Sequence, residues 1–370
     1  MNKIHMNSKT YFTPGPSELY FTATDHIKYA LNEKIPSISH RSKKFEEIYM
    51  SAVNNITQLL NLPENYHVFF TGSATEIWER ILQNCVEEYS SHFVNGSFSE
   101  RFYETALELG KQPEKFEAEE GSCVKLDQAE ISGDSELIAF TQNETSTGAA
   151  QPLDDIYQTR EKFPDKLIAV DVVSTLPYIN LDYSKIDTAF FSVQKGFGLP
   201  AGLGVWLVNN RCLEKAGNLL KAGRNIGTFH SLTSLLSKGS KNQTPETPNV
   251  LGIYLLSKVC EDMLDKGIGQ IRKETEYKAA VLSNAINNNE LLDHFVKEEA
   301  LRSKTVIVAE TKISSSKIIK KLEEKGLIIG SGYGPYKDGH LRIANFPTHS
   351  KEHTEQLADH LEALSNKLND

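Results

Sequence analysis

The chain has 370 residues, more than one hydrophobic core usually organises, so a large domain with a smaller companion is expected. Its 39% hydrophobic and 24% charged residues suit a globular protein, and a net charge of −9 weighs against nucleic acid or an anionic membrane as its main partner. No apolar run approaches the ~20 residues that cross a bilayer, and MNKIHMNSKT lacks a secretory apolar core, so a cytoplasmic location is expected. Cys85, Cys123, Cys212 and Cys260 are too scattered for metal-ligand spacing and read as structural thiols, with no metal site expected.

The first 20 residues, with Pro14, Gly15 and Pro16, are expected to run as an extended arm. From residue 67 to 210, strand-like and helix-like segments alternate. His67–Thr71 is short and apolar, Gly72–Ala74 breaks it, and Thr75–Glu87 has helical spacing. Ser91–Val94 and Glu136–Thr141 read as strands, with a helix over Phe98–Leu109 between them. The loop NETSTG and a helix around Leu153–Phe163 follow, then strands at Leu167–Asp171, Thr188–Ser192 and Leu203–Val208. Strands joined through helices predict an α/β large domain, its mostly parallel sheet flanked by helices. Helices over Val250–Lys266, Ile271–Asn287, Ser315–Lys325 and Lys351–Lys367, with strands at Lys304–Ala309 and His340–Asn345, predict a smaller α+β C-terminal domain. The expected boundaries are 1–20 for the arm, 21–255 for the large domain and 256–370 for the small one.

Ligands of open parallel sheets collect beyond the carboxyl ends of the strands, and several suggestive residues stand there. Gly72-Ser73-Ala74-Thr75 opens a helix with free backbone N–H groups and two hydroxyls, which suits an anion or simply a capped helix. Asp171 ends LIAVD, where it could meet a protonated ring nitrogen or cap the next turn. Lys195 follows TAFFSV in a segment with Gly196, Gly198, Gly202 and Gly204, which lets a ligand approach the backbone. The order GxxxxGK[ST] is absent and no GxGxxG follows a first strand, which disfavours nucleotide-binding folds.

Together, SVQKGFGLPAGLG, IAVDVVST and QNETSTG resemble the class V aminotransferases of the fold-type I pyridoxal phosphate family. ISHRSKKFEEI (Ile38–Ile48) and NQTPET (Asn242–Thr247) resemble the phosphoserine aminotransferase branch of that family. The resemblance implies that Lys195 bonds covalently to pyridoxal 5'-phosphate and then shuttles a proton, while Asp171 keeps the ring nitrogen protonated. It further implies that Ser73, Ala74, Thr75 and Gln194 hold the phosphate, that Thr145 contacts the cofactor, and that Phe98 stacks on its ring. Thr244 would reach the phosphate of a neighbouring subunit, which implies a homodimer. Arg342, in HLRIANFP, would grip the α-carboxylate of a small amino acid or keto acid, with His40 and Arg41 meeting the substrate's far end.

One stretch departs from the pattern. Where that branch has a second His-Arg pair, this chain reads Gly330-Ser331-Gly332-Tyr333-Gly334-Pro335-Tyr336-Lys337, closer to aminotransferases that use glyoxylate. Lys337 or His340 is the available replacement charge. The expected activity is therefore transamination, with a phosphoserine:2-oxoglutarate reaction first and a serine or alanine–glyoxylate (or pyruvate) reaction as the alternative.

Overall fold

The computed structural model describes residues 9–364, so the first eight residues of the expected arm and the last three of the expected terminal helix lie outside it. Two sheets organise the rest. The larger contains β2 (Tyr66–Thr71), β3 (Tyr89–Val94), β4 (Gln112–Glu117), β5 (Leu137–Thr141), β6 (Leu167–Asp171), β7 (Thr188–Ser192) and β8 (Gly204–Asn209), in the order β2-β8-β7-β6-β5-β3-β4. The smaller joins β1 (Thr10–Phe12), β9 (Leu292–His294), β10 (Val306–Thr311), β11 (Leu327–Ser331) and β12 (His340–Ala344), in the order β1-β11-β12-β10-β9.

The large sheet is parallel from β4 across to β7, as expected, and β8 alone runs against its neighbours. A parallel neighbour needs a long crossover, but β7 and β8 are joined by the short turn Val193–Leu203. That turn carries Lys195, and it brings the start of β8 to the edge where β2, β5, β6 and β7 end.

Period-two alternation divides the core. Val68, Phe70, Ile138, Phe140, Ile168, Val170, Val205 and Leu207 face one side, where α2 (Lys43–Leu60) and α8 (Val250–Lys266) cover them. Phe69, Leu137, Ala139, Leu167, Ala169, Trp206 and Val208 face the other, under α3 (Ala74–Cys85), α4 (Ser97–Glu108) and α6 (Asn210–Lys221). The small sheet buries Leu327, Ile329, Leu341 and Ile343 against α9 (Ile268–Asn287), α10 (Ser315–Glu323) and α11 (Lys351–Leu364). All four cysteines are buried and unpaired.

The differences from the sequence reading have local causes. Strand β4, QPEKFE, is a half-exposed edge strand with a proline and no apolar alternation, so pattern alone passes over it. Helix α9 begins at Ile268, not Ile271, because Gly267 at φ 85° ends α8 and starts α9 directly. The arm supplies β1, which pairs in parallel with β11 of the far C-terminal sheet. No described helix is long and apolar enough to cross a membrane.

Candidate active site

Four loops meet at the carboxyl edge of the large sheet. After β7 the chain folds back, with Gly198 N donating to Lys195 O at 2.9 Å and Leu199 N to Val193 O at 3.0 Å. The turn holds Lys195 inside, only 8% exposed, its Nζ donating to Thr145 Oγ1 at 3.0 Å and standing 5.4 Å from the centre of the Phe98 ring. Burial pushes the amine down to about 8, against the opposing pull of Asp171 and Glu144, and the Arg342 charge adds to the lowering.

Asp171 ends β6 and is 4% exposed. Its carboxylate accepts from the Trp78 indole N–H at 3.1 Å and from Val173 N at 2.9 Å. Burial pushes it up to about 6, although both hydrogen bonds and Lys195 favour its charged form. A buried carboxylate and a buried amine thus share one cavity of about 100 Å³, which Ala74, Thr75, Phe98, Thr145 and Gln194 also border. Gln194 Oε1 is buried there without a partner among the described residues.

Ser73 is the N-cap of α3, its Oγ accepting from Glu76 N at 3.1 Å. Ala74 N donates to Ser192 Oγ at 3.0 Å, which ties this turn to the end of β7. Gly204 lets β8 pass beneath: a Cβ there would stand 2.5 Å from Ser73 C and 2.6 Å from Thr71 Oγ1. Gly204→Ala is therefore expected to push the Ser73 turn outward and cost ~1–3 kcal/mol of stability, read as a lower midpoint in urea unfolding. An unchanged midpoint would show that the turn yields freely.

The remaining expected residues divide into two groups. Arg342, on β12, faces the cavity region: its Nε donates to Ser331 O at 2.8 Å, and its guanidinium lies 5.3 Å from the Tyr333 ring. Tyr333 in turn packs against Phe98 with ring centres 5.1 Å apart. By contrast His40, Arg41 and Thr244 do not border the Lys195 cavity in the single chain. Arg41 instead donates to Gln243 Oε1, Thr244 O and Pro245 O at 2.9, 2.8 and 3.2 Å, so it fastens the segment that carries Thr244. Thr244 is buried, its Oγ1 donating to Glu246 O at 2.7 Å. The half-buried His40 has its pKa lowered, by burial first and then by the Arg41 charge. Of the replacement charges for the 330–337 loop, Lys337 is exposed, and His340 is buried with its ring stacked on Tyr336.

Several participants escape the sequence reading. Trp78 sits one helical turn after Ala74, so its i, i+4 spacing to the Ser73–Thr75 turn is the signal that points it into the cavity. Glu144, fully buried beside Thr145, accepts from Phe98 N and Ser99 N at 3.1 and 3.0 Å and from Ser146 Oγ at 2.7 Å. Its charge lies at the N-terminus of α4, where the helix dipole favours it, and it anchors the backbone of Phe98. Nothing in the short loop NETSTG distinguishes that role from a turn. Gly15, at φ +146°, brings the arm so close that a Cβ would stand 2.9 Å from Lys195 Cε.

Comparison with known proteins agrees with this geometry. Residues 21–336 match the aminotransferase class-V family. The phosphoserine aminotransferase structure from Cytophaga hutchinsonii is 52% identical, covers 98% of this chain and 100% of that one, and superposes with a TM-score of 0.95. A phosphoserine aminotransferase of Rhodococcus opacus is 28% identical over 338 residues, 89% of this chain and 88% of its own length. The ureidoglycine–glyoxylate aminotransferase of Bacillus subtilis is 21% identical and covers 100% of this chain and 96% of that one. Its TM-score of 0.84 is a likeness of fold alone.

Proposed function

The chain belongs to the class-V aminotransferases, and we propose that it uses pyridoxal phosphate, held by Lys195, to pass an amino group from glutamate to 3-phosphohydroxypyruvate. The observation that supports the chemistry is the cavity shared by Lys195 and Asp171. The residues present fit the cofactor: an amine, a carboxylate and the side-chain amide of Gln194, whose NH2 can donate to a phosphate, border one space beside a helix N-terminus.

Bound there, pyridoxal phosphate supplies an electron sink for the substrate carbon that loses its proton. Lys195 Nζ holds and returns that proton, a task suited to an amine lowered to about 8. Asp171 holds the ring nitrogen's proton, and the Trp78 N–H keeps its carboxylate aimed. Ser73, Ala74 and Thr75 would hold the phosphate at the N-terminus of α3, with Gln194 closing that end. Phe98, fixed through Glu144, offers a ring face. Arg342 binds the substrate α-carboxylate with its planar fork. Thr244, held by Arg41 of its own chain, reaches the cofactor phosphate in the site of the second protomer of a homodimer, and His40 and Arg41 meet the substrate's far end.

The 52% identity to a phosphoserine aminotransferase along nearly the whole chain supports the phosphorylated acceptor. One observation favours the alternative, a serine or alanine–glyoxylate reaction. The 330–337 loop brings Tyr333 toward Arg342 and Phe98, while His340 is stacked away on Tyr336 and Lys337 points to solvent. Profiling decides between them. With glutamate as donor, kcat/KM for 3-phosphohydroxypyruvate is expected to exceed that for glyoxylate by on the order of 10²-fold or more, because a site built for a charged group rejects an analogue without it. Equal values would end the phosphoserine reading and leave transamination standing.

A further inference from the structure

Helix α9 buries a second amine that the reaction does not use. Lys278 is 1% exposed, and its Nζ donates to Phe346 O at 2.7 Å and His349 O at 2.8 Å. Burial pushes it down to about 7, and no carboxylate hydrogen-bonds to it among the described residues. Burying an amine is costly where an apolar side chain could fill the space, so the directed bonds are what this residue contributes. Both carbonyls belong to one turn, Phe346–His349, between β12 and α11.

His349 extends the connection. Its ring is buried, and Nδ1 accepts from Phe346 N at 3.0 Å, so the proton must sit on Nε2. Nε2 then donates to Tyr11 O at 2.9 Å, and the ring stacks on Phe12 at 4.4 Å. Strand β1 is thus held on one side by β11 and on the other by its own chain and by His349. Glu18 N donates to Tyr11 O at 3.1 Å and Tyr11 N to Glu18 Oε2 at 2.7 Å, while among the described residues His349 alone ties this side to the Phe346–His349 turn. Three residues beyond Phe12 lies Gly15, against Lys195 Cε, and Ser17 N donates to Gln194 O at 3.1 Å. The same turn reaches the lysine loop directly, since Thr348 Cγ2 lies where a Cβ on Gly198 would go.

We infer that Lys278 and His349 are positioning residues that fasten the N-terminal segment Pro14–Pro16 over Lys195 and keep solvent from its amine. The inference rests on the reading of Lys195 as the reactive amine. It is tested by lysine footprinting of the cofactor-free full chain with a water-soluble acetylating reagent, followed by mass spectrometry, which needs no activity. Lys278→Met and His349→Phe are expected to raise the acetylation rate of Lys195 roughly tenfold, with other lysines unchanged. His349→Gln, whose amide can donate to Tyr11 O, is expected to restore slow labelling. Should Lys278→Met not fold, His349→Phe, which strands no buried charge, decides alone. Labelling of Lys195 at the wild-type rate in His349→Phe would overturn the inference, as would a general rise at all lysines. Failure of the substrate reading would show only in the profiling above and leave this result intact.

Discussion

Lys195→Ala is expected to abolish transamination, lowering kcat on the order of 10⁴-fold or more, because the cofactor bond and the proton carrier are lost together. The structure makes the assignment sharp because the described residues include two buried amines of lowered basicity. Lys278 is committed to two backbone carbonyls, whereas Lys195 has one hydroxyl partner and borders the cavity that contains Asp171. Borohydride reduction of the reconstituted protein, then dialysis and peptide mapping, separates them. Cofactor should stay fixed to wild type and to Lys278→Met, and leave Lys195→Ala. Cofactor retained by Lys195→Ala after reduction would place the bond elsewhere and overturn the reading.

Asp171→Asn is expected to cost about 10²–10⁴-fold in kcat, since a neutral amide cannot keep the ring nitrogen protonated. The cofactor-free protein supplies an independent signature. Burial raises the Asp171 carboxyl from its ordinary value near 4 to about 6, so the folded chain binds more protons than the unfolded one between those values. Wild-type stability therefore falls as pH rises from 4 through 6, by up to about 3 kcal/mol for a shift of that size. The amide escapes this penalty, but its single carbonyl oxygen cannot serve both Trp78 and Val173, and an orphaned donor costs about 1–3 kcal/mol at every pH. Relative to wild type, Asp171→Asn should thus be less stable near pH 4 and recover as pH rises past 6. A stability difference independent of pH would show that the Asp171 carboxyl titrates alike in the folded and the unfolded chain.

Much of the fold is legible in the sequence because period and burial coincide. LIAFT, LIAVD and TAFFS are buried along their length and apolar except at their ends, as buried parallel strands are, and each is followed by a loop with its own chemistry. Where a strand lies at an edge, as β4 does, or is only three residues long, as β1 and β9 are, local pattern carries no such mark. The same holds for residue roles. Lys195, Asp171 and Ser73 stand out because strand ends are where ligands bind. Glu144 and Trp78 do not, because a buried carboxylate and a core tryptophan look ordinary until their partners are known.

Sequence by itself determined the α/β class, the position of Lys195 after β7 and the family, since these depend on short runs of residues and their order. Tertiary structure decided what closes the site. The antiparallel return of β8 seats Gly204 under the Ser73 turn, β1 crosses to a strand more than 300 residues away, and the Lys278–His349 connection sets the arm over Lys195. Each of these is a contact between segments remote in the chain, chosen by packing and by the pairing of buried donors with acceptors, and no local periodicity encodes such a choice.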